Sequence, residues 1–109
     1  MATDTIYALA SGAGRAGVAV IRVSGPASDR VLARLTGQTL PAPRVASLRR
    51  LRDAGGEPLD TALVLRFSEG ASFTGEAVIE IHCHGGPAVV RAAMSAVAAA
   101  GPAWLAEPG

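Results

Sequence analysis

The chain has 109 residues, of which 50% are hydrophobic, 17% charged and 4% aromatic, with a formal net charge of +1. That is the size of one domain, and it is too apolar for disorder, so a single core must be built from Ala, Val, Leu and Ile. The near-neutral charge excludes a broad basic footprint for nucleic acid, and any RNA contact has to be local.

Residues 5–10 read as a short strand. A glycine-rich loop over 11–17 follows, and then Val18-Ala19-Val20-Ile21-Arg22-Val23, the most β-prone run in the chain, expected beside the first strand. Ser24-Gly25-Pro26 is a turn in which Ser24 or Gly25 can cap a short amphipathic helix; Val31, Leu32 and Leu35 form its apolar stripe and Gly37 ends it. Residues 45–52 and 59–67 make a hairpin about Asp53-Ala54-Gly55-Gly56, with Leu63, Leu65 and Phe67 alternating against Ala62, Val64 and Arg66.

Residues 68–75 read as a loop. Over 76–84, strict alternation sends Ala77, Ile79, Ile81 and Cys83 to one face and Val78, Glu80, His82 and His84 to the other. Pro87 opens a helix carrying Val89, Val90, Ala93, Met94 and Val97, which Gly101-Pro102 stops. Trp104 starts another extended segment, which reads as running on into a longer protein. Together these elements predict one α/β (α+β) domain over residues 1–109, a small mixed β-sheet of about five strands with two or three helices.

A lone cysteine, Cys83, excludes an internal disulfide and fits a reducing compartment. The start carries Asp4 and no basic run, unlike a signal peptide, and the uncharged stretch 92–106 is too short and too Ala-rich to span a bilayer. A cytoplasmic, soluble domain without membrane contact is expected. All ten cationic residues are Arg, which beside so much Ala, Gly and Pro reads as codon bias; the local group Arg44, Arg49, Arg50 and Arg52 reads as the charged guard of an edge strand.

Gly12-Ala13-Gly14-Arg15-Ala16-Gly17 matches half of a dinucleotide-binding fingerprint, but a β-branched run follows it instead of a helix, and no acidic residue lies about 20 positions on. Turn chemistry explains the glycines, with exposed N–H groups and Arg15 able to hold an anion. With no Lys, the chain has no G-x-x-x-x-G-K-[ST] phosphate loop, and no GTP binding by it is expected. His82-Cys83-His84 suggests a metal, yet alternation sends Cys83 to the opposite face and leaves two imidazoles where a structural zinc needs four ligands, so no metal site is predicted. Glu80 is the residue to single out. A carboxylate in mid-strand beside two histidines needs donors if its face is covered, and Arg22 or the N–H edge of a ligand are the candidates.

Asp4-Thr5-Ile6-Tyr7-Ala8-Leu9-Ala10, the run Gly14 to Gly25, Ser72-Phe73-Thr74-Gly75-Glu76, Glu80-Ile81 and His84-Gly85-Gly86-Pro87 occur in the order of one family. The chain resembles the N-terminal domain of the bacterial and organellar tRNA modification GTPases, the MnmE/TrmE family, over essentially its whole length. His82-Cys83 stands where that family commonly has Gln-Gly.

The resemblance implies a fold akin to folate-binding aminomethyltransferase domains, pairing into a homodimer, and binding of 5-formyl- or 5,10-methylene-tetrahydrofolate as a one-carbon donor for the tRNA wobble uridine. It assigns Arg22 and Glu80 to the folate. It also implies a flavoprotein partner of the MnmG/GidA type, tRNA contact through the full complex, and GTP, magnesium and potassium held by a separate GTPase domain that this chain lacks. Two other readings stand beside it: a pairing module without folate binding, and a metal-dependent hydrolase built on His82 and His84.

Overall fold

A computed structural model describes residues 5–10, 17–68, 76–101 and 104–105. Its elements are β1 (Ile6–Leu9), β2 (Val18–Ser24), α1 (Ser28–Thr36), β3 (Ser47–Arg52), β4 (Pro58–Phe67), β5 (Val78–His84), α2 (Pro87–Ala100) and β6 (Trp104–Leu105). The strands form one sheet in the order β3-β4-β5-β2-β1-β6. Neighbours are antiparallel except β1 and β6, so the short sixth strand is what makes the sheet mixed. The glycine-rich loop at 11–16 and most of the loop at 69–75 lie outside the described residues.

Both helices lie on one face of the sheet. Ile21, Val23, Leu51, Val64, Ile79 and Ile81 project from the strands to meet Val31, Leu32, Leu35 and Val97 from the helices, all with at most 1% of their surface exposed. The alternation in β5 falls as expected: Cys83 is buried, and Glu80, His82 and His84 lie away from the helices. In β4, register decides what alternation left open. Val64 pairs with Ile81 and turns to the core with Ala62, whereas Leu63 pairs with His82 and stays 37% exposed on the open face.

The start of α1 differs from expectation, since neither Ser24 nor Gly25 caps it. Its N-cap is Ala27, which offers no side chain to the free N–H groups. Thr5 in the preceding segment supplies the missing acceptor, its Oγ1 taking the Ala27 N–H at 2.8 Å, and Ser28 N donates to Gly25 O at 3.1 Å. The Ser24 hydroxyl is drawn away, donating to Glu76 Oε2 at 2.9 Å. Gly37 ends the helix as expected, at φ 63°, a left-handed conformation that favours glycine, with its N–H on Ala33 O.

In the hairpin, Asp53 Oδ1 accepts the amides of Gly55 and Glu57, both at 2.9 Å, closing the turn. A bidentate pair ties α1 to β4, with Arg66 Nε 2.7 Å from Asp29 Oδ1 and Nη2 2.8 Å from Oδ2. Among the described residues, no helix is long and apolar enough to cross a membrane.

Candidate functional site

The face of the sheet opposite the helices carries the site. Arg22 on β2 and Glu80 on β5 stand directly across from one another, and Leu65 on β4 flanks Glu80 on its other side. Arg22 donates twice to Glu80 Oε2, from Nε at 3.1 Å and Nη2 at 2.8 Å. His82 Nε2 lies 3.2 Å from Glu80 Oε1. An ionised carboxylate only accepts, so His82 Nε2 is the donor of this bond.

Glu80 is therefore neither free decoration nor an unpaired buried charge. Its side chain is 19% exposed, against 50% for Arg22 and 26% for His82. Burial pushes its carboxyl up, but the bonds from Arg22 and His82, with the Arg22 charge, outweigh burial and hold the group below the ordinary carboxylate range. It is an anion at neutral pH.

His84, at the end of β5, belongs to a separate pair. Its backbone N–H donates to Asp60 Oδ2 at 2.9 Å, and its Nδ1 lies 2.7 Å from Asp60 Oδ1. The Asp60 side chain is only 10% exposed, whereas the His84 ring is 72% exposed. His84 Nδ1 is thus the donor to this carboxylate, which fixes the orientation of the ring. Reading the sequence missed Asp60, and no local signal could have found it, because it lies 24 residues from its partner and they meet only through the pairing of β4 with β5.

The histidines thus serve two different carboxylates, while burial pushes the Cys83 thiol on the far face up, helped by the Asp60 charge. Among the described residues, no group of three or more His, Cys, Asp or Glu is placed to hold a metal ion.

Among the described residues, four of the five exposed large hydrophobics, Ile6, Val18, Leu48 and Leu63, share the face that bears Glu80; the fifth, Val45, precedes β3. What this arrangement offers is an anionic acceptor and a planar cation set in a partly apolar, open sheet face.

These features define a small mixed α/β domain with a polar site on its uncovered face. Residues 5–109 match the family described as GTP-binding protein TrmE N-terminus, and the chain belongs to that family. It is 55% identical over 109 residues to the tRNA modification GTPase MnmE of Rhizobium meliloti (strain 1021), covering 100% of this chain and 25% of that protein. With the protein of the same name from Caulobacter vibrioides it shares 56% identity over 107 residues, 98% of this chain and 23% of the other. The human 5-taurinomethyluridine-[tRNA] synthase subunit GTPB3, mitochondrial, is 58% identical over 95 residues, 85% of this chain and 19% of that protein. The chain spans about a quarter or less of the length of these relatives.

Proposed function

We propose that this chain is the N-terminal, folate-binding and pairing domain of a tRNA modification GTPase. The names of its relatives support the tRNA-modifying role, and the observation that supports folate is Glu80, a half-buried anion presented on the open face between Arg22 and His82. A pterin edge presents adjacent N–H donors, which a fixed carboxylate accepts as a charge-assisted pair.

The residues fit such a ligand. A carboxylate has about four acceptor positions, and Glu80 uses three of them on Arg22 and His82. Arg22 is half exposed, so an incoming pair of donors displaces it at little cost, and the freed guanidinium can lie over the ligand. Bound 5-formyl- or 5,10-methylene-tetrahydrofolate supplies the one-carbon unit. Glu80 orients the ring, Arg22 covers it, and His82 keeps the carboxylate turned to the face.

The apolar residues Ile6, Val18, Leu48 and Leu63 support pairing with a second copy through the same face. The chain has no Lys, so GTP, magnesium and potassium belong to a further domain of the parent protein, where a flavoprotein of the MnmG/GidA type and tRNA would also engage. A cytoplasmic setting fits the single buried thiol.

Titrating the chain with 5-formyltetrahydrofolate by calorimetry, with light scattering at high micromolar concentration, tests both parts. Saturable binding by a dimer is expected. A dimer that takes up no folate would leave the pairing-module reading, which the exposed apolar residues favour on their own.

A further inference from the structure

The arginines of β3 are arranged differently from those of the rest of the sheet. Arg22 and Arg66 are paired with carboxylates, but no ion pair among the described residues involves Arg49, Arg50 or Arg52. The alternation of a regular strand would put Arg50 and Arg52 on one side and Arg49 on the other. The register slips only between Leu51 and Arg52, after both Arg49 and Arg50, with Leu59 of β4 as the extra residue. All three arginines nonetheless line one hollow of about 330 Å³, which wraps the edge of the sheet and is also lined by Gly37 and Gln38.

Two of the three are held in place. Arg49 donates from Nε to Thr39 O at 3.0 Å and from Nη1 to Leu48 O at 2.8 Å, and Arg52 donates from Nη1 to Gly56 O at 3.1 Å. The Arg50 guanidinium bonds no described residue, while its backbone N–H is taken by Gln38 Oε1 at 3.0 Å. The neighbouring acid, Asp53, turns its carboxylate into the hairpin.

Guarding an exposed edge does not account for this arrangement. Gln38 already occupies an edge N–H, and a guard works from solvent, without guanidinium groups anchored on main-chain carbonyls around a concavity. Fixed forks with spare N–H groups and no anion of their own suit phosphate oxygens. In a chain of net charge +1, four arginines between positions 44 and 52 concentrate the positive field at this one edge.

We propose that the β3 edge, through Arg49, Arg50 and Arg52, is a contact surface for the phosphate backbone of RNA. The choice of RNA over another polyanion rests on the tRNA-modifying role proposed above; the anion site itself does not.

The test is fluorescence anisotropy of the chain with a labelled, unmodified tRNA transcript from 50 to 200 mM salt. Each phosphate contact contributes about 0.7–0.9 to the slope of log affinity on log salt. Arg49→Gln, Arg50→Gln and Arg52→Gln together should lower that slope by about two and weaken binding at 50 mM salt at least tenfold. Arg50→Gln alone removes a guanidinium that supports no fold contact, and it should lower the slope by about one, which keeps the test valid if the triple variant unfolds. Arg30→Gln with Arg91→Gln, exposed arginines elsewhere, should leave the slope unchanged.

An unchanged slope in the Arg50 variant, an equal loss in the Arg30 and Arg91 control, or no binding of the transcript at 50 mM salt would overturn the proposal. Binding of inorganic phosphate without the transcript would also overturn it, by showing a small-anion site only. The 5-formyltetrahydrofolate titration, run on the same variants, separates the outcomes. RNA failure with folate bound sinks only the edge, and folate failure with an arginine-dependent slope sinks only the folate reading.

Discussion

Arg22 and Glu80 face each other across β2 and β5, joined by two hydrogen bonds that converge on one carboxylate oxygen, Oε2. Because both bonds end on a single oxygen, Oε1 is left to His82 and to whatever approaches the open face. The pair therefore sets both the charge and the orientation of the acceptor.

Removing Arg22 leaves burial dominant over the single bond from His82. In Arg22→Gln the Glu80 carboxyl should titrate at higher pH than in the wild type, followed by carboxyl carbon NMR. A midpoint that stays put would mean that Arg22 does not govern the charge.

Glu80→Gln keeps the shape of the side chain but turns one acceptor into a donor. A hydrogen bond to a charged group is worth about 1.5–3 kcal/mol, so affinity for 5-formyltetrahydrofolate should fall roughly ten- to a hundredfold. Thermal unfolding monitors the fold, which should survive. Binding equal to the wild type in a folded variant would show that the pterin edge lies elsewhere.

Acid should destabilise the domain in a defined window. The carboxyls of Asp29, through its bonds from Arg66 against opposing burial, and of Glu80 both lie below their ordinary values in the folded state. A depressed folded pKa contributes stability that is present above the unfolded value of about 4 and is lost as pH falls through the folded value. Denaturant midpoints should thus decline below about pH 4, and Asp29→Asn with Glu80→Gln should flatten that decline. A double variant with the wild-type profile would assign acid sensitivity to other groups.

Neighbours on β4 should respond unequally to the same change. Val64→Ser loses a buried side chain and strands a hydroxyl against the helices, a cost of about 3 kcal/mol, whereas Leu63→Ser on the open face should cost about 1 kcal/mol or less. For a domain of this size each kcal/mol shifts the melting temperature by about 4–8 °C, so the two variants should separate clearly by calorimetry. Equal losses would place Leu63 under cover.

The Asp29–Arg66 fork joins helix to sheet with one partner 20% and the other 41% exposed, so water screens part of its strength. Arg66→Lys keeps the charge but loses the second bond, and should cost about 1 kcal/mol in chemical denaturation. Stability equal to the wild type would reduce the fork to a surface ion pair.

Much of this molecule is local and so was legible in the sequence. The period of two in β5 put Cys83 inside and Glu80, His82 and His84 outside, and the apolar stripe before Gly37, like Pro87 and Gly101 around α2, marked helices by backbone preferences that depend on few neighbours. The family motifs, too, are contiguous runs.

Long-range pairing was beyond a reading of periods. Alternation in β4 shows two faces without saying which is core, and only the register Val64↔Ile81 turned the smaller set inward. The cap of α1 came from Thr5, 22 residues away, the level at which β2 meets β5 brought Arg22 opposite Glu80, and the packing of Gly37 and Gln38 beside β3 made one hollow of arginines that alternation alone sends to two faces. Side-chain direction follows from dihedral preferences within a few residues, whereas register is settled by the burial of the whole sheet face against its helices, and so only the tertiary structure decides it.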